Sequence, residues 1–216
     1  MSVLIACGFA GLCDCYRPVC LCWHMWRMQT LALIRRRTTF ALASQRHRFR
    51  TLMDYPDTPA NELERLFALH RTHLLDTPPD ARFDNITARA RDYFDVQTVL
   101  VSLVDEDRQW FLSRQGLEAK ETPREISFCG HAILGEDLLL IADALKDKRF
   151  RDNPLVTADP RIRFYAGQPI RASDGHKIGT LCLIDPEPRT LSSGERETLV
   201  SLAAEVETLI SQRQPA

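Results

Sequence analysis

Cys129 and His131 stand two residues apart in Ser127-Phe-Cys-Gly-His-Ala-Ile-Leu134. A thiol activated by an imidazole is a nucleophile pair. On a helix, however, side chains at i and i+2 point about 200° apart and do not face each other. A helix start ahead of Cys129 would still lower its thiol pKa, but the spacing favours packing and pocket lining over catalysis. The polar candidate for gripping a ligand is Asp159-Pro160-Arg161. Arg161 either offers its planar fork to a carboxylate or phosphate or forms a structural ion pair with Asp143 or Asp159. Trp110, Phe111 and Phe128 are the apolar walls of a pocket or simply core. Phe164 and Tyr165 are consecutive in an extended stretch, so they face opposite sides of it. Gly167 suits a close backbone approach in a sheet. The small Gly179, beside Thr180, would leave room above one. Cys182, within an apolar strand, reads as an inert small hydrophobe.

Those residues need elements to hold them. From Asn61, a candidate N-cap, Leu63, Leu66, Phe67, His70 and Leu74 recur at helical spacing until Thr77-Pro78-Pro79-Asp80 ends the run. A second helix is expected over about 82–94, with Phe83, Ile86, Ala90 and Phe94 on one face. The β-branched run 97–105, an acidic turn and residues 109–115 read as a hairpin closed by Gly116. A short helix capped by Ser127 comes next, then a brief strand at 138–141. Residues 143–160, polar and rich in Asp and Pro, read as a long loop with a helical turn; a connection of that length is often functional. Strands at 162–172 and 177–184 form a second hairpin across Ser173-Asp174-Gly175. The final helix, 192–212, carries Leu199, Leu202, Val206 and Leu209. This order predicts an α+β fold, an antiparallel five- or six-stranded sheet with helices on both sides.

Charge divides the chain. Residues 1–52 carry eight Arg against the single Asp14, whereas residues 53–216 carry 20 Lys and Arg against 28 Asp and Glu. The acidic body has no basic stripe to neutralise phosphates, which argues against a nucleic-acid partner. Five of the seven cysteines fall within the first 22 residues, leaving Cys129 and Cys182 in the body. Two separated cysteines imply no disulfide framework, and a reducing, cytoplasmic setting is expected. The opening lacks the positive n-region of a secretory signal, and Asp14, Arg17 and Pro18 interrupt its apolar run. Leu4-Ile5-Ala6-Cys7 has the form of a lipoprotein cleavage box, but only Met1–Val3 precede it. The Cys-x-Cys pairs at 13/15 and 20/22 are closer than structural zinc sites usually space their ligands. Residues 1–60 are therefore expected to be a disordered or artefactual extension, with translation starting at or near Met53. An intact mass equal to the full chain would overturn that start site.

Three segments carry a resemblance: Ile126-Ser-Phe-Cys-Gly-His-Ala-Ile133, Asp159-Pro-Arg-Ile-Arg-Phe-Tyr-Ala-Gly167, and Lys177-Ile-Gly-Thr-Leu-Cys-Leu-Ile-Asp185 with Pro188-Arg189 behind. In this order and at these separations, residues 65–212 resemble the GAF family of small-molecule sensor domains, most of all those ahead of bacterial diguanylate cyclases and sensor histidine kinases. The resemblance implies a sensor domain over 61–213 whose ligand pocket lies between the sheet and the excursions at 111–132 and 143–167. It implies a ligand-binding set of Phe111, Phe128, Cys129, His131, Asp143, Arg161, Phe164, Tyr165 and Thr180. It also implies a homodimer through the terminal helices, an unidentified small-molecule ligand, and a separate kinase or cyclase as output protein, with no membrane partner. No cofactor is named by these residues. Relatives that attach a bilin use cysteine followed directly by histidine, and Gly130 intervenes here. Relatives that reduce free methionine sulfoxide need more cysteines in the excursion loops than this body has.

The expected function is therefore a small-molecule-binding sensor domain in bacterial signal transduction, not an enzyme, with no output domain in the chain. Two alternatives stand beside it: a thiol-based reductase using Cys129, and a ligand-free dimerisation module whose pocket is filled. The sensor reading requires a hollow between Phe111 and Gly167.

Overall fold

Helix α1 (Glu62–Arg71) begins after Asn61 with Glu62 and Glu64 in its first turn and ends on His70 and Arg71, charges that complement the helix dipole. Its inward face is not the predicted apolar stripe. Leu63 is 81% exposed and Phe67 65% exposed, whereas Arg65, Ala68 and Leu69 are buried. Helix α2 (Ala81–Phe94) follows the expected pattern. The Asp80 carboxylate accepts from the Arg82 amide at its N-terminus, Asp95 in a left-handed conformation ends it, and Phe83, Ile86, Ala90 and Phe94 are buried.

The computed structural model describes residues 53–213. The expectations for residues 1–52, their paired cysteines and leader-like opening included, lie outside the described residues. Residues 53–60, assigned by sequence to the extension, run beside the 127–133 segment. There the Asp54 carbonyl meets the His131 ring and Pro56 lies over Gly130.

After α2 come β1 (Thr98–Val104), β2 (Arg108–Gln115), β3 (Glu121–Pro123), a single 3-10 turn at Arg124–Ile126, and α3 (Phe128–Ala132). Then follow β4 (Leu139–Ile141), α4 (Pro154–Thr157), β5 (Phe164–Arg171), β6 (Lys177–Asp185) and α5 (Ser193–Gln212). The six strands form one sheet in the order β3-β2-β1-β6-β5-β4, every neighbouring pair antiparallel. The fold is α+β, with helices on both sides of the sheet. Pro169, which has no N–H to donate, lies on β5 beyond the stretch that β4 covers. The 143–160 excursion is more ordered than a loop: Asn153 caps α4, and Ala144, Phe150 and Val156 are buried.

Strand alternation divides the core in two. Val99, Val101 and Leu103 of β1, Phe164, Ala166 and Ile170 of β5, and Ile178, Leu181 and Leu183 of β6 pack against α2 and α5. Leu100, Val104, Tyr165 and Cys182 face the other way, towards α3 and the excursion. A bulge between Val101 and Ser102 interrupts this alternation. As a result Leu112 enters the first core while the next residue, Ser113, also faces α2 and donates to Asp84 at 2.6 Å. Helix α5 has a full capping box between Ser192 and Glu195.

Gly179 does not make room above the sheet, as its small size suggested. A Cβ there would lie 1.9 Å from the Ser102 carbonyl oxygen, so the residue permits the close pairing of β1 with β6. Gly179→Ala should destabilise the domain by about 1–3 kcal/mol through overpacking against backbone that cannot rotate away. The midpoint of chemical denaturation measures this. An unchanged midpoint would mean that the two strands separate freely at this point.

Candidate functional site

The Ser127 side chain accepts from the Gly130 amide at 2.9 Å and starts α3, turning Phe128, Cys129, Ala132 and Ile133 inward. Beneath the helix, the Cys129 sulfur lies 3.9 Å from that of Cys182 in mid-β6. The Tyr165 hydroxyl donates to Cys129 at 3.3 Å. Tyr165 leans along β5 over Gly167, where a Cβ would lie 2.1 Å from its hydroxyl oxygen, so this glycine makes space for a side chain and not, as expected, for a backbone. Ser102 and Thr180 are paired across β1 and β6 on the same face. Both are fully buried, and neither hydroxyl finds a partner with hydrogen-bond geometry among the described residues.

This ring of polar groups sets the thiol chemistry. Burial alone would push the Cys129 thiol up, but the donors around the sulfur (Cys182, Thr180, Tyr165 and Ser102) outweigh it and leave Cys129 below the usual thiol range. Ser102 and Thr180 supply this help when the sulfur is charged and attracts their rotatable hydroxyls. Cys182 goes the opposite way, raised by its contact with Cys129 and by burial. Tyr165 is raised by burial and by the adjacent thiols, so it stays a protonated donor.

The roof comes from the excursion. Phe150 stacks on Phe128 with ring centroids 4.1 Å apart and planes 8° from parallel, and Phe128 lies 5.1 Å from the Tyr165 ring. The His131 ring stands nearly perpendicular to Phe150 at 4.8 Å, and the Arg149 guanidinium covers Phe150 at 5.1 Å while paired with Asp147. The Asn153 amide donates to the Ile126 carbonyl at 2.9 Å, tying the excursion to the start of α3. The hollow expected between Phe111 and Gly167 is instead occupied by packed aromatic side chains, so a ligand could enter there only after the Phe128–Phe150 stack parts. Their walls meet because both excursions carry an aromatic residue that reaches the middle.

The ligand-binding set predicted from sequence is only partly brought together. Phe111, Phe128, Cys129 and Tyr165 line one buried cluster, with Thr180 beside them on the same face. His131 is at its rim and turned away from Cys129. Its Nε2 lies 3.1 Å from the Asp54 carbonyl, which can only accept, so Nε2 carries the hydrogen; burial keeps the ring's pKa below the ordinary histidine value. Phe164 is on the other face, in the core against α2 and α5. Asp143 pairs with Lys146 at 3.1 Å and not with Arg161, the partner considered for it, and opens onto a surface cleft of about 520 Å³. Arg161 is exposed, with a φ of 59°. Two further surface clefts, of about 540 and 610 Å³, touch His131 and Phe111 separately.

The predicted set lacked Ser102, Phe150 and Cys182, the last read from sequence only as a small hydrophobe. Ser102 is the one polar side chain on the inward face of β1 between Leu100 and Val104, a signal present in the alternation. Phe150 is the one aromatic residue of the 143–160 segment, and only long-range packing shows where it goes. Among the described residues no group of three or more His, Cys, Asp or Glu side chains is arranged to hold a metal, and no helix is long and apolar enough to cross a membrane.

A family model described as GAF domain matches residues 78–210, well over half of the chain. The chain belongs to the GAF domain family. The matched GAF segment contains the sheet, α3, the excursion and most of α5. A cyclic di-GMP phosphodiesterase of Pseudomonas aeruginosa is 45% identical over 137 residues, which are 63% of this chain but only 23% of that protein. The chain thus spans less than a quarter of that relative. Among solved structures, the GAF domain of an Acinetobacter phosphoenolpyruvate-protein phosphotransferase superposes with a TM-score of 0.50 at 19% identity, covering 68% of this chain and 92% of that one. A free methionine-R-sulfoxide reductase from Neisseria meningitidis, in complex with its substrate, gives 0.51 at 20% identity, covering 73% and 94%. These likenesses show the GAF fold.

Proposed function

We propose that this GAF domain is a sensor in bacterial signal transduction whose ligand site is the buried polar floor beneath α3, closed by the Phe128–Phe150 stack. One observation carries the reading: the Ser102 and Thr180 hydroxyls are fully buried, and while the Cys129 thiol beside them is protonated they have no hydrogen-bond partner among the described residues. Leaving such a group unsatisfied costs about 1–3 kcal/mol. A ligand entering under α3 would supply the missing partners, and Tyr165 and Cys129 stand beside them to complete the set. The domain would then exchange between a closed state and one in which the stack has parted, with the ligand acting only through its differential affinity for the two. Opening would move α3 and the excursion, and the terminal helices would pass the change to an output module. The signalling context is supported by the phosphodiesterase relative, whose catalytic activity is not carried over. A homodimer through the terminal helices and a cytoplasmic setting are part of the same proposal.

Native mass spectrometry of the protein purified from its own host tests this. The expected result is a small-molecule adduct that is lost when Ser102→Ala and Thr180→Val are combined. A bare mass in both preparations would favour a second reading, the ligand-free structural module. That reading draws on the 4.1 Å Phe128–Phe150 stack, which already fills the space. A thiol-based reductase would instead show turnover that disappears in Cys129→Ser.

The floor also makes a stability prediction. Thr180→Val keeps the shape and removes a hydroxyl that is unpaired while Cys129 is protonated, so in mild acid the ligand-free domain should gain about 0.5–2 kcal/mol. Thermal or chemical denaturation measures the gain. A loss of stability would show that the hydroxyl has a partner in solution and would weaken the case for a vacant acceptor or donor.

A further inference from the structure

The thiol pair has a chemistry of its own that does not depend on any ligand. The sulfurs of Cys129 and Cys182 are 3.9 Å apart although the residues are 53 positions apart in sequence, and both side chains are buried. A disulfide needs sulfurs about 2.05 Å apart, so bond formation requires an approach of the two sulfurs but no change of partner. Cys182 is fixed in a strand paired on both sides, whereas Cys129 is carried by a helix of five residues. An inert core cysteine needs only apolar neighbours. Cys129 instead receives the Tyr165 hydroxyl at 3.3 Å, a donor that favours the charged form of the sulfur.

We propose that Cys129 and Cys182 form a reversible dithiol–disulfide site, oxidised by hydroperoxides, that ties α3 to the centre of the sheet. In the first step the Cys129 sulfur, its proton lost, attacks one peroxide oxygen. The O–O bond breaks, and the leaving hydroxide or alkoxide takes up a proton, giving a sulfenic acid and water or an alcohol. In the second step the Cys182 sulfur attacks the sulfenic sulfur. The S–S bond forms, the S–O bond breaks, and hydroxide leaves with the Cys182 proton as water. The two thiols are oxidised by two electrons and the peroxide is reduced by two. An external dithiol reverses the reaction by exchange. Because both sulfurs are buried, peroxide enters when α3 opens locally, so the reaction is slower than that of an exposed thiol.

The test treats the full chain with hydrogen peroxide, quenches with acid, blocks remaining thiols with an alkylating agent under denaturing conditions, and maps peptides by mass spectrometry. The expected result is a linked pair joining Cys129 to Cys182, two hydrogens lighter than the separate peptides and split by dithiothreitol. Alkylation of both residues should be lost together. In Cys182→Ser, Cys129 should instead be trapped as the sulfenic acid by dimedone. Full alkylation of both cysteines in the wild-type chain, at peroxide doses that exhaust a small free thiol, would overturn the proposal, and so would linkage of either one only to another cysteine. The wild-type map is decisive by itself, whether or not the variant folds. Failure of the ligand reading would leave this result standing, because no ligand enters the measurement.

Discussion

Replacing Phe150 with Ala should cost about 3–5 kcal/mol of stability, the range for truncating a fully buried aromatic side chain. Three features place it towards the upper end. Phe150 has no exposed surface, its ring stacks on Phe128 at 4.1 Å, and the near-perpendicular His131 ring and the Arg149 guanidinium complete its surroundings. Stacked aromatic pairs contribute about 0.5–1.5 kcal/mol beyond their area. One feature opposes: the 143–160 excursion can collapse into a cavity more readily than a strand can. Chemical denaturation measures the total, and amide exchange locates it. Protection should fall first at residues 143–160, because Phe150 is the deepest anchor of that segment, while β1 and β6 keep theirs until global unfolding. Phe150→Leu should recover part of the loss. A change below about 1 kcal/mol with unaltered exchange would mean that the stack does not hold the roof shut, and the closed site would need another explanation.

Much of this architecture can be read from sequence because it depends on period. Alternation in 97–105 and 162–184 identifies strands, and the same alternation correctly separates Phe164 from Tyr165. What it does not reveal is which face holds the site, so Phe164 enters the candidate set although it lies against α2 and α5. Wall residues can also be named without knowing whether the walls touch. Phe128, Phe111 and Tyr165 are recognisable as lining, but the distance between rings is set by Phe150, from a segment whose composition reads as solvent-exposed. In α1 the failure has a different cause. A periodicity argument treats Leu63 and Phe67 as inward and Arg65 as outward. Yet Arg65 is 2% exposed, because its guanidinium reaches the Val104 carbonyl and the Glu62 carboxylate, and those acceptors offset its burial. Polar satisfaction of that kind depends on residues far apart in the chain.

That burial leads to the second large effect. Glu62→Ala should destabilise the domain by about 3–5 kcal/mol, the cost of leaving buried charge without its partner. Glu62 accepts from Arg65 Nε and Nη2, both at 2.7 Å, and from Arg124 Nη1. Arg65 and Arg124 are both buried, and Arg124 Nη2 has no partner among the described residues. Removing the one carboxylate leaves two guanidinium groups close together, held only by the carbonyls of Val104, Asp105 and Glu106. These contacts join α1 to the β1–β2 turn and to the 3-10 turn before α3, so the loss should also loosen α1 and the start of the roof. Glu62→Gln keeps an acceptor oxygen without the charge and should fall between wild type and Ala. Acid should imitate the substitution. Burial alone would raise the Glu62 pKa, but the hydrogen bonds from Arg65 and Arg124 outweigh it and hold the carboxyl below its ordinary 4.5. A folded-state pKa below the unfolded one contributes stability that is fully present above the unfolded value and is lost as pH falls through the folded value. The wild type should therefore lose stability below about pH 4.5 more steeply than Glu62→Gln, whose side chain does not titrate. Parallel acid limbs in the two proteins would show that this carboxylate is not what holds the arginines in place.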